Sequence, residues 1–434
     1  MSELVAGHAS IVAQAMPPAP HEEYSGAVWI AAVDDAALIA GSITFAGLSG
    51  YARARLLVRA GPTPRGFVEL PIVGGTIDLE AARRAVAALP PVTRPERRIS
   101  PPISVVLCTY DRPRMLAQAL RSLLDLEYPE YEVVVVDNHP ASGLTGPVVA
   151  AIGDPRLRLV SEPRRGLARA RNSGALATRH CYVAFTDDDV VIDRGWLHGI
   201  ADGFRTGSDV ACVTGIVPSG EIASPSQAYF DRRVSWATRC EPELYSLARK
   251  RPAEPLFPFQ VGRFGTGANF AVRRDTLVAL GGFDEALGVG SACGGGEDID
   301  LFVRIVLAGH ELAYTPSALV WHKHRRDLES LTRQITDYGT GLGAWMAKLA
   351  VNPRTLLMMM RRLRPGLAHY RRITRPALPI TERLPDHDML SRVERRAVLR
   401  GPIALLRARL SGARGRPLAR SNSARPAVRP EEKR

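Results

Sequence analysis

The feature that most constrains this chain is a set of nearly continuous apolar runs, with no alternation of apolar and polar residues. Ile103–Leu107 is one and Glu132–Val136, with four consecutive valines, is the next. A strand that shows one face to water alternates apolar and polar residues. Unbroken β-branched runs belong to strands covered on both faces, as in parallel sheets flanked by helices. Helix-like segments follow in turn: Arg114–Leu126 after the first run, and Leu167–Ala177 between the strands Leu157–Val160 and Tyr182–Phe185. The order predicts an α/β sheet with much parallel pairing.

The rest of the chain divides around this body. Residues 1–23 read as a flexible arm, and 24–89 as a small mixed α/β module. In that module Tyr51–Arg59 alternates as a half-buried strand, and Asp78 sits near the N-cap of a helix. A proline-rich linker spans 90–102, the main domain 103–326, a helical extension 327–411 and a disordered basic tail 412–434.

The net charge of +13 suggests a polyanion partner until it is divided. Residues 351–434 hold 21 basic and 6 acidic side chains, a surplus of +15, whereas residues 1–350 hold 36 and 38, or −2. The body is near neutral, so no nucleic-acid partner is expected. Five scattered cysteines without C-x-x-C spacing point to a reduced, cytoplasmic protein. The N-terminus does not read as a signal peptide, and no run of 18 apolar residues predicts a transmembrane helix. None of the four lysines follows a glycine, and H-E-x-x-H and G-x-S-x-G are absent. P-loop, metalloprotease and α/β-hydrolase chemistry lose their main signatures.

Three segments carry candidate chemistry. In Tyr182–Val191 an apolar strand runs into Asp187-Asp188-Asp189. Adjacent carboxylates repel one another, and hard oxygen ligands at a strand end suit Mg²⁺ or Mn²⁺. The plainer alternative is a solvated acidic turn. In Cys293–Arg304, glycines precede Glu297-Asp298 at the start of an amphipathic helix. Asp298 is either a general base or a helix cap, and Asp300 is expected in solvent. After the strand Ala318–Trp321 come His322 and His324, which share a face of extended chain. One imidazole completes a metal site, or both are structural.

Eight motifs then occur in order: ISVVLCTYDRP (103–113), VVVVDN (133–138), RGLARARNSGA (165–175), FTDDD (185–189), GTGANFAVR (265–273), GGFDE (281–285), GGEDIDL (295–301) and Trp321-His322. Over about residues 102–326 this resembles a family 2 glycosyltransferase. The resemblance implies the GT-A (nucleotide-diphospho-sugar transferase) fold, with a mixed, mostly parallel central sheet. It also implies a nucleotide-sugar donor, UDP-linked by first expectation, a Mg²⁺ or Mn²⁺ ion, and inverting transfer to a hydroxyl acceptor that the sequence does not name.

By the same resemblance, Asp187 and Asp189 bind the metal, Asp189 most directly, with His322 as a third contact. Thr109, Tyr110 and Arg112 form a nucleotide-contacting loop. Asp137 meets the base, Arg171 and Asn172 lie beneath ribose and phosphates, and Asp188 touches ribose or sugar. Asp298 is the catalytic base, and Glu297 orients it or the acceptor. Gly267 and Asn269 line the donor-sugar and acceptor cleft. Arg325 and Arg326 either hold the diphosphate or form a solvated turn. Tyr229, Phe230 and Trp236 are sugar platforms or core. The family's second acid is missing after the second strand, where Asp137-Asn138-His139 stands. Rival functions are a nucleotidyltransferase and a non-catalytic nucleotide-sugar or glycan-binding protein. Leu342–Leu363 is either a surface helix on anionic lipid at the inner membrane face or one of a packed pair with a solvated basic side.

Overall fold

A computed structural model of the chain describes residues 10–16, 24–92, 100–234, 237–248, 255–260, 262–362 and 387–412. Most of the proline-rich linker and the basic tail from 413 lie outside the described residues.

The N-terminal module comprises β1 (Ser10–Val12), β2 (Val28–Asp34), α1 (Asp35–Ala40), β3 (Ile43–Phe45), β4 (Arg53–Ala60), β5 (Thr63–Val73), β6 (Thr76–Ile77) and α2 (Leu79–Ala87). Its main sheet runs β2-β4-β5-β6 over a core that includes Trp29, Leu56 and Val58. Asp78 caps α2 by accepting the Glu80 and Ala81 amides. Of the expected loose arm, residues 1–9 and 17–23 lie outside the described residues. Residues 10–16 are held, because β1 pairs with β3 and Met16 is buried beneath Trp321 and Gly220. The alternating arginines of β4 also have a use. Arg55 donates to both oxygens of Asp231 at 2.9 and 2.8 Å, and Arg59 pairs with Asp193, so the strand's polar side seats the module on the main domain.

The main domain contains β7 (Ile103–Thr109), α3 (Pro113–Leu124), β8 (Tyr131–Asp137), α4 (Thr145–Ile152), β9 (Leu157–Ser161), α5 (Leu167–Ala177), β10 (Tyr182–Asp187), β11 (Val190–Ile192), α6 (Trp196–Gly203), β12 (Val210–Ile216), α7 (Pro225–Arg233), β13 (Glu243–Tyr245), β14 (Asn269–Arg273), α8 (Arg274–Ala279), α9 (Glu297–Leu307) and β15 (Glu311–His322). The sheet runs β11-β15-β12-β14-β10-β7-β8-β9, with β13 on β15. Strands β10, β7, β8 and β9 are mutually parallel, and β14 is antiparallel to both its neighbours. The mixed sheet expected from the apolar runs is present. Every residue of β7 and β8 is buried. Val105, Leu107, Val133 and Val135 pack under α3, while Val106, Val134 and Val136 face α5. Gly174 permits that second contact, since a Cβ there would lie 2.4 Å from Val106 Cγ1.

Three helical stretches follow: α10 (Leu328–Val351), α11 (353–362) and α12 (His387–Leu410). Asp284, in the GGFDE loop, fastens α10 and α12 to the domain. Lys348 Nζ lies 2.7 Å from it and Arg409 donates at 2.8 Å. Burial alone would raise the Asp284 carboxyl, but these two cations bring it down to about 2. From an ordinary value of 3.8, the shift is worth about 2 kcal/mol at 1.36 kcal/mol per unit. This stability is present above the unfolded pKa and lost as pH falls through the folded one. Asp284→Asn is expected to melt earlier than wild type near neutrality, with the two curves converging below about pH 4. A difference that persists unchanged into acid would contradict the assignment.

Candidate active site

The register of the parallel strands assembles the site. Asp187 on β10 is level with Cys108 on β7, and Thr109 on β7 is level with Asp137 on β8. Three carboxyl-terminal strand ends therefore place Asp187, Thr109 and Asp137 in one row, where open α/β sheets bind ligands. A cleft of about 560 Å³ opens there. Its lining includes Thr109, Tyr110, Arg112, Asp187, Asp188, Asp189, His322 and Arg325.

The aspartates are not a solvated turn. Asp188 and Asp189 are 4% and 8% exposed. Thr109 Oγ1 donates to Asp188 at 2.7 Å, and Arg112 donates to Asp188 at 3.0 Å and to Asp189 at 3.4 Å. Burial, reinforced by the neighbouring Asp189, pushes the Asp188 carboxyl up to about 6 against the pull of Arg112. Burial and Asp189 also raise Asp187, with Arg171 opposing. Asp189 goes the other way. Burial would raise it, but His322, Arg112 and Arg325 hold it well below the usual carboxylate range. His322 Nε2 lies 3.3 Å from Asp189 Oδ1. Burial would lower that imidazole, and the Asp189 charge raises it instead. Behind it His324 is buried, 3.1 Å away between Nδ1 atoms, and its ring lies tilted against Phe230. Burial and the His322 charge lower His324 far below its ordinary value, so it backs His322 as a neutral ring.

Among the described residues no group of three or more His, Cys, Asp and Glu side chains is already gathered around a common point. Each acid is instead turned onto a protein cation. The donor types nevertheless fit a hard divalent ion, with carboxylate oxygens and one imidazole at the cleft. Mutual repulsion among buried carboxylates is the strain that such an ion relieves.

Arg171 is a buried hub rather than a surface contact. It is 1% exposed and donates to Glu297 at 2.8 Å, to Asp187 at 3.1 Å and to the Gly267 carbonyl at 2.9 Å. Phe270 and Phe283 flank its guanidinium. The Gly267 amide in turn donates to Asp298 Oδ2 at 2.7 Å. A continuous chain therefore runs from Asp187 through Arg171 and Gly267 to Asp298. Asp298 is not a helix N-cap, since Gly296 occupies that position without a side-chain bond. Glu297 is buried, and burial plus the Asp298 charge push it up to about 7 against Arg171. Asp300 does not face solvent as expected. It is 1% exposed and pairs with Arg304 at 2.7 Å and Lys348 at 2.6 Å.

Two asparagines serve the framework. Asn172 exchanges two hydrogen bonds with the Phe283 backbone. Asn269 donates to Ile216 and Ala318 and accepts from Trp196 Nε1. Neither lines the cleft, because both amides are spent on joining elements. Asp137 is buried and accepts the His139 amide at 2.9 Å. Arg325 reaches Asp189 at 3.6 Å, whereas Arg326 is turned onto Glu221. Tyr229 and Phe230 are core beside Leu331 and Ile335, and Trp236 lies outside the described residues.

Sequence reasoning missed two walls. His139 stacks on Tyr110 with ring centroids 5.0 Å apart and planes at 5°, and Arg165 lies over the Tyr110 ring. Asp111, in the left-handed region at φ 55°, bonds His139 Nδ1 at 2.6 Å and so fixes this ledge. The other wall is α10, which supplies Ser330, Arg333, Gln334, Asp337 and Tyr338. Closing the domain at residue 326 therefore leaves out one side of the cleft. The D-N-H triplet after β8 was the available signal for the ledge, and an uncapped cleft after His322 was the signal for α10.

Residues 104–281 match the family described as Glycosyl transferase family 2, and residues 256–364 match Glycosyltransferase like family 2. Over these segments the chain is similar to family 2 glycosyltransferases. The pre-mycofactocin glycosyltransferase of Mycobacterium tuberculosis is 30% identical over 228 residues, 52% of this chain and 43% of the relative. The succinoglycan biosynthesis protein ExoM of Rhizobium meliloti is 27% identical over 281 residues, covering 63% of this chain and 76% of the relative. The chain spans about half the length of curated relatives such as the mycobacterial one. The mannosyltransferase PcManGT of Pyrobaculum calidifontis, solved with GDP-Man and Mn²⁺, overlaps 72% of this chain and 87% of its own at 19% identity and a TM-score of 0.43.

Proposed function

We propose that this protein is an inverting, metal-dependent glycosyltransferase that moves a sugar from a nucleoside diphosphate to an acceptor hydroxyl. The observation that carries the reading is the chain of contacts from the cleft acid Asp187 through Arg171 and Gly267 to Asp298. It joins a polyanion-neutralising centre to a second carboxylate suited to proton abstraction.

Asp187, Asp189 and His322 are the residues that would hold Mg²⁺ or Mn²⁺. When bound, the ion supplies neutralisation of the diphosphate leaving group. The chain's own groups do the rest. Tyr110 and His139 offer a flat ledge to the base, with Asp137 beside it, and Thr109 and Arg112 fix Asp188 toward the ribose and sugar. Arg325 adds positive charge at the diphosphate. Asp298 takes the acceptor hydroxyl proton as that oxygen bonds the anomeric carbon and the bond to phosphate breaks on the opposite side. One displacement inverts the centre. We place the reaction in the cytoplasm on the strength of five scattered, unpaired cysteines; among the described residues no helix is long and apolar enough to cross a membrane.

A screen of UDP- and GDP-sugars by thermal stabilisation, with and without Mn²⁺, tests this directly. At least one donor is expected to raise the melting temperature only with the metal. At a hundredfold excess over Kd the gain corresponds to about 2.7 kcal/mol. No stabilisation by any nucleotide sugar at millimolar concentration overturns the reading.

A further inference from the structure

Helix α12 has two apolar faces, and the fold uses one. Ala397, Gly401, Ala404 and Ala408 are buried against α10. The contact is close: a Cβ on Gly401 would lie 2.3 Å from Ala344 N, and one on Gly343 2.0 Å from Val398 O. The helices run side by side in the same direction, since Gly339 meets Ala397 and both Lys348 and Arg409 reach Asp284.

Half a turn away lies a second row, Leu399, Ile403, Leu406 and Leu410, exposed by 78, 56, 60 and 79%. Their spacing of four, three and four residues makes one stripe about 16 Å long at 1.5 Å per residue. Arg396, Arg400 and Arg407 run along its edge, all exposed and without a carboxylate partner among the described residues. Glu394 is the last acid in the chain before Glu431. At the same end of the helix pair, Val351, Leu357 and Met360 are exposed by 81, 51 and 63%.

We infer that the outer face of α12 docks on an anionic lipid bilayer. Four large apolar side chains on one face, edged by unpaired guanidiniums, match a helix lying in the headgroup plane. Charge selects this occupant. A second copy of the chain would bring one row of arginines against another, whereas anionic headgroups complement them. The packed-pair and lipid-surface expectations for Leu342–Leu363 are thus divided along the chain: residues 343–345 pack and residues 351–361 lie largely open. The inference does not rest on the transfer reaction. Its consequence is that the cleft wall at Gln334 stands about 25 Å along α10 from the docked end.

The test is flotation of the full chain with phosphatidylcholine vesicles made with and without phosphatidylglycerol. Wild type is expected to float with the anionic vesicles roughly tenfold more than with neutral ones, and less as salt rises. Leu399→Ser with Ile403→Ser, Leu406→Ser and Leu410→Ser is expected to abolish flotation while leaving the melting temperature near wild type, because these side chains are exposed. Should that variant not fold, Arg396→Gln with Arg400→Gln and Arg407→Gln must weaken flotation and flatten its salt dependence. Wild type that stays at the bottom with anionic vesicles, or variants that float as wild type does, overturns the inference. So does a wild-type dimer in light scattering that the serine variant dissolves, which would assign the stripe to a second copy.

Discussion

Asp298→Asn is expected to retain donor binding and lose transfer by roughly 10²–10⁴-fold, the usual contribution of a general base. The substitution is chosen for what it preserves. The amide oxygen of Asn still accepts the Gly267 N–H, now made at 2.7 Å, so the loop before β14 keeps its anchor. What disappears is the capacity to take a proton. The donor-facing groups, Thr109, Arg112 and Asp188, bond to one another and do not touch Asp298. The expected pattern is a fall in kcat with an unchanged donor Kd, measured by transfer rate and by donor titration of the same preparation. Full transfer by the variant removes Asp298 from the reaction as its general base. A loss of both donor binding and transfer would show that the Gly267 loop collapsed.

The sheet was legible because its strands are covered on both faces. No helix or surface strand needs four consecutive valines, and β8 buries all of its residues. The acids at the strand ends were legible for a related reason: a polar residue that ends such a run must emerge at the sheet's edge, where Asp187 and Asp137 stand. Partnership was not legible. Arg171 and Glu297 lie 126 residues apart, and nothing local says that one neutralises the other. Asn172 and Asn269 looked like ligand contacts because sequence shows an amide without showing what it bonds. Asp300 looked solvated because its partner Lys348 belongs to a helix assigned to another domain. The module's arginines illustrate the same limit, since an alternating strand reads as half exposed until another domain covers its polar side.

Arg171→Met is expected to cost about 3–5 kcal/mol of stability, because it removes one member of a buried charge network and leaves the rest. Methionine fills much of the volume between Phe270 and Phe283, so the loss measures charge rather than a cavity. Glu297 and Asp187 would each lose their guanidinium, and the Gly267 carbonyl its donor. Glu297 already sits at about 7 with Arg171 in place, so without that cation the buried carboxyl is driven to the protonated form. Arg171→Lys should fall between, since a single ammonium cannot reproduce the planar fork that serves three acceptors at once. The discriminating variant is Arg171→Met with Glu297→Gln. Neutralising the stranded acid should recover part of the loss, a coupling that a purely steric role for Arg171 does not produce. Chemical denaturation of the four proteins reads out the cycle. A single Arg171→Met variant with wild-type stability would show that the network linking the cleft acid to the base loop carries no energy.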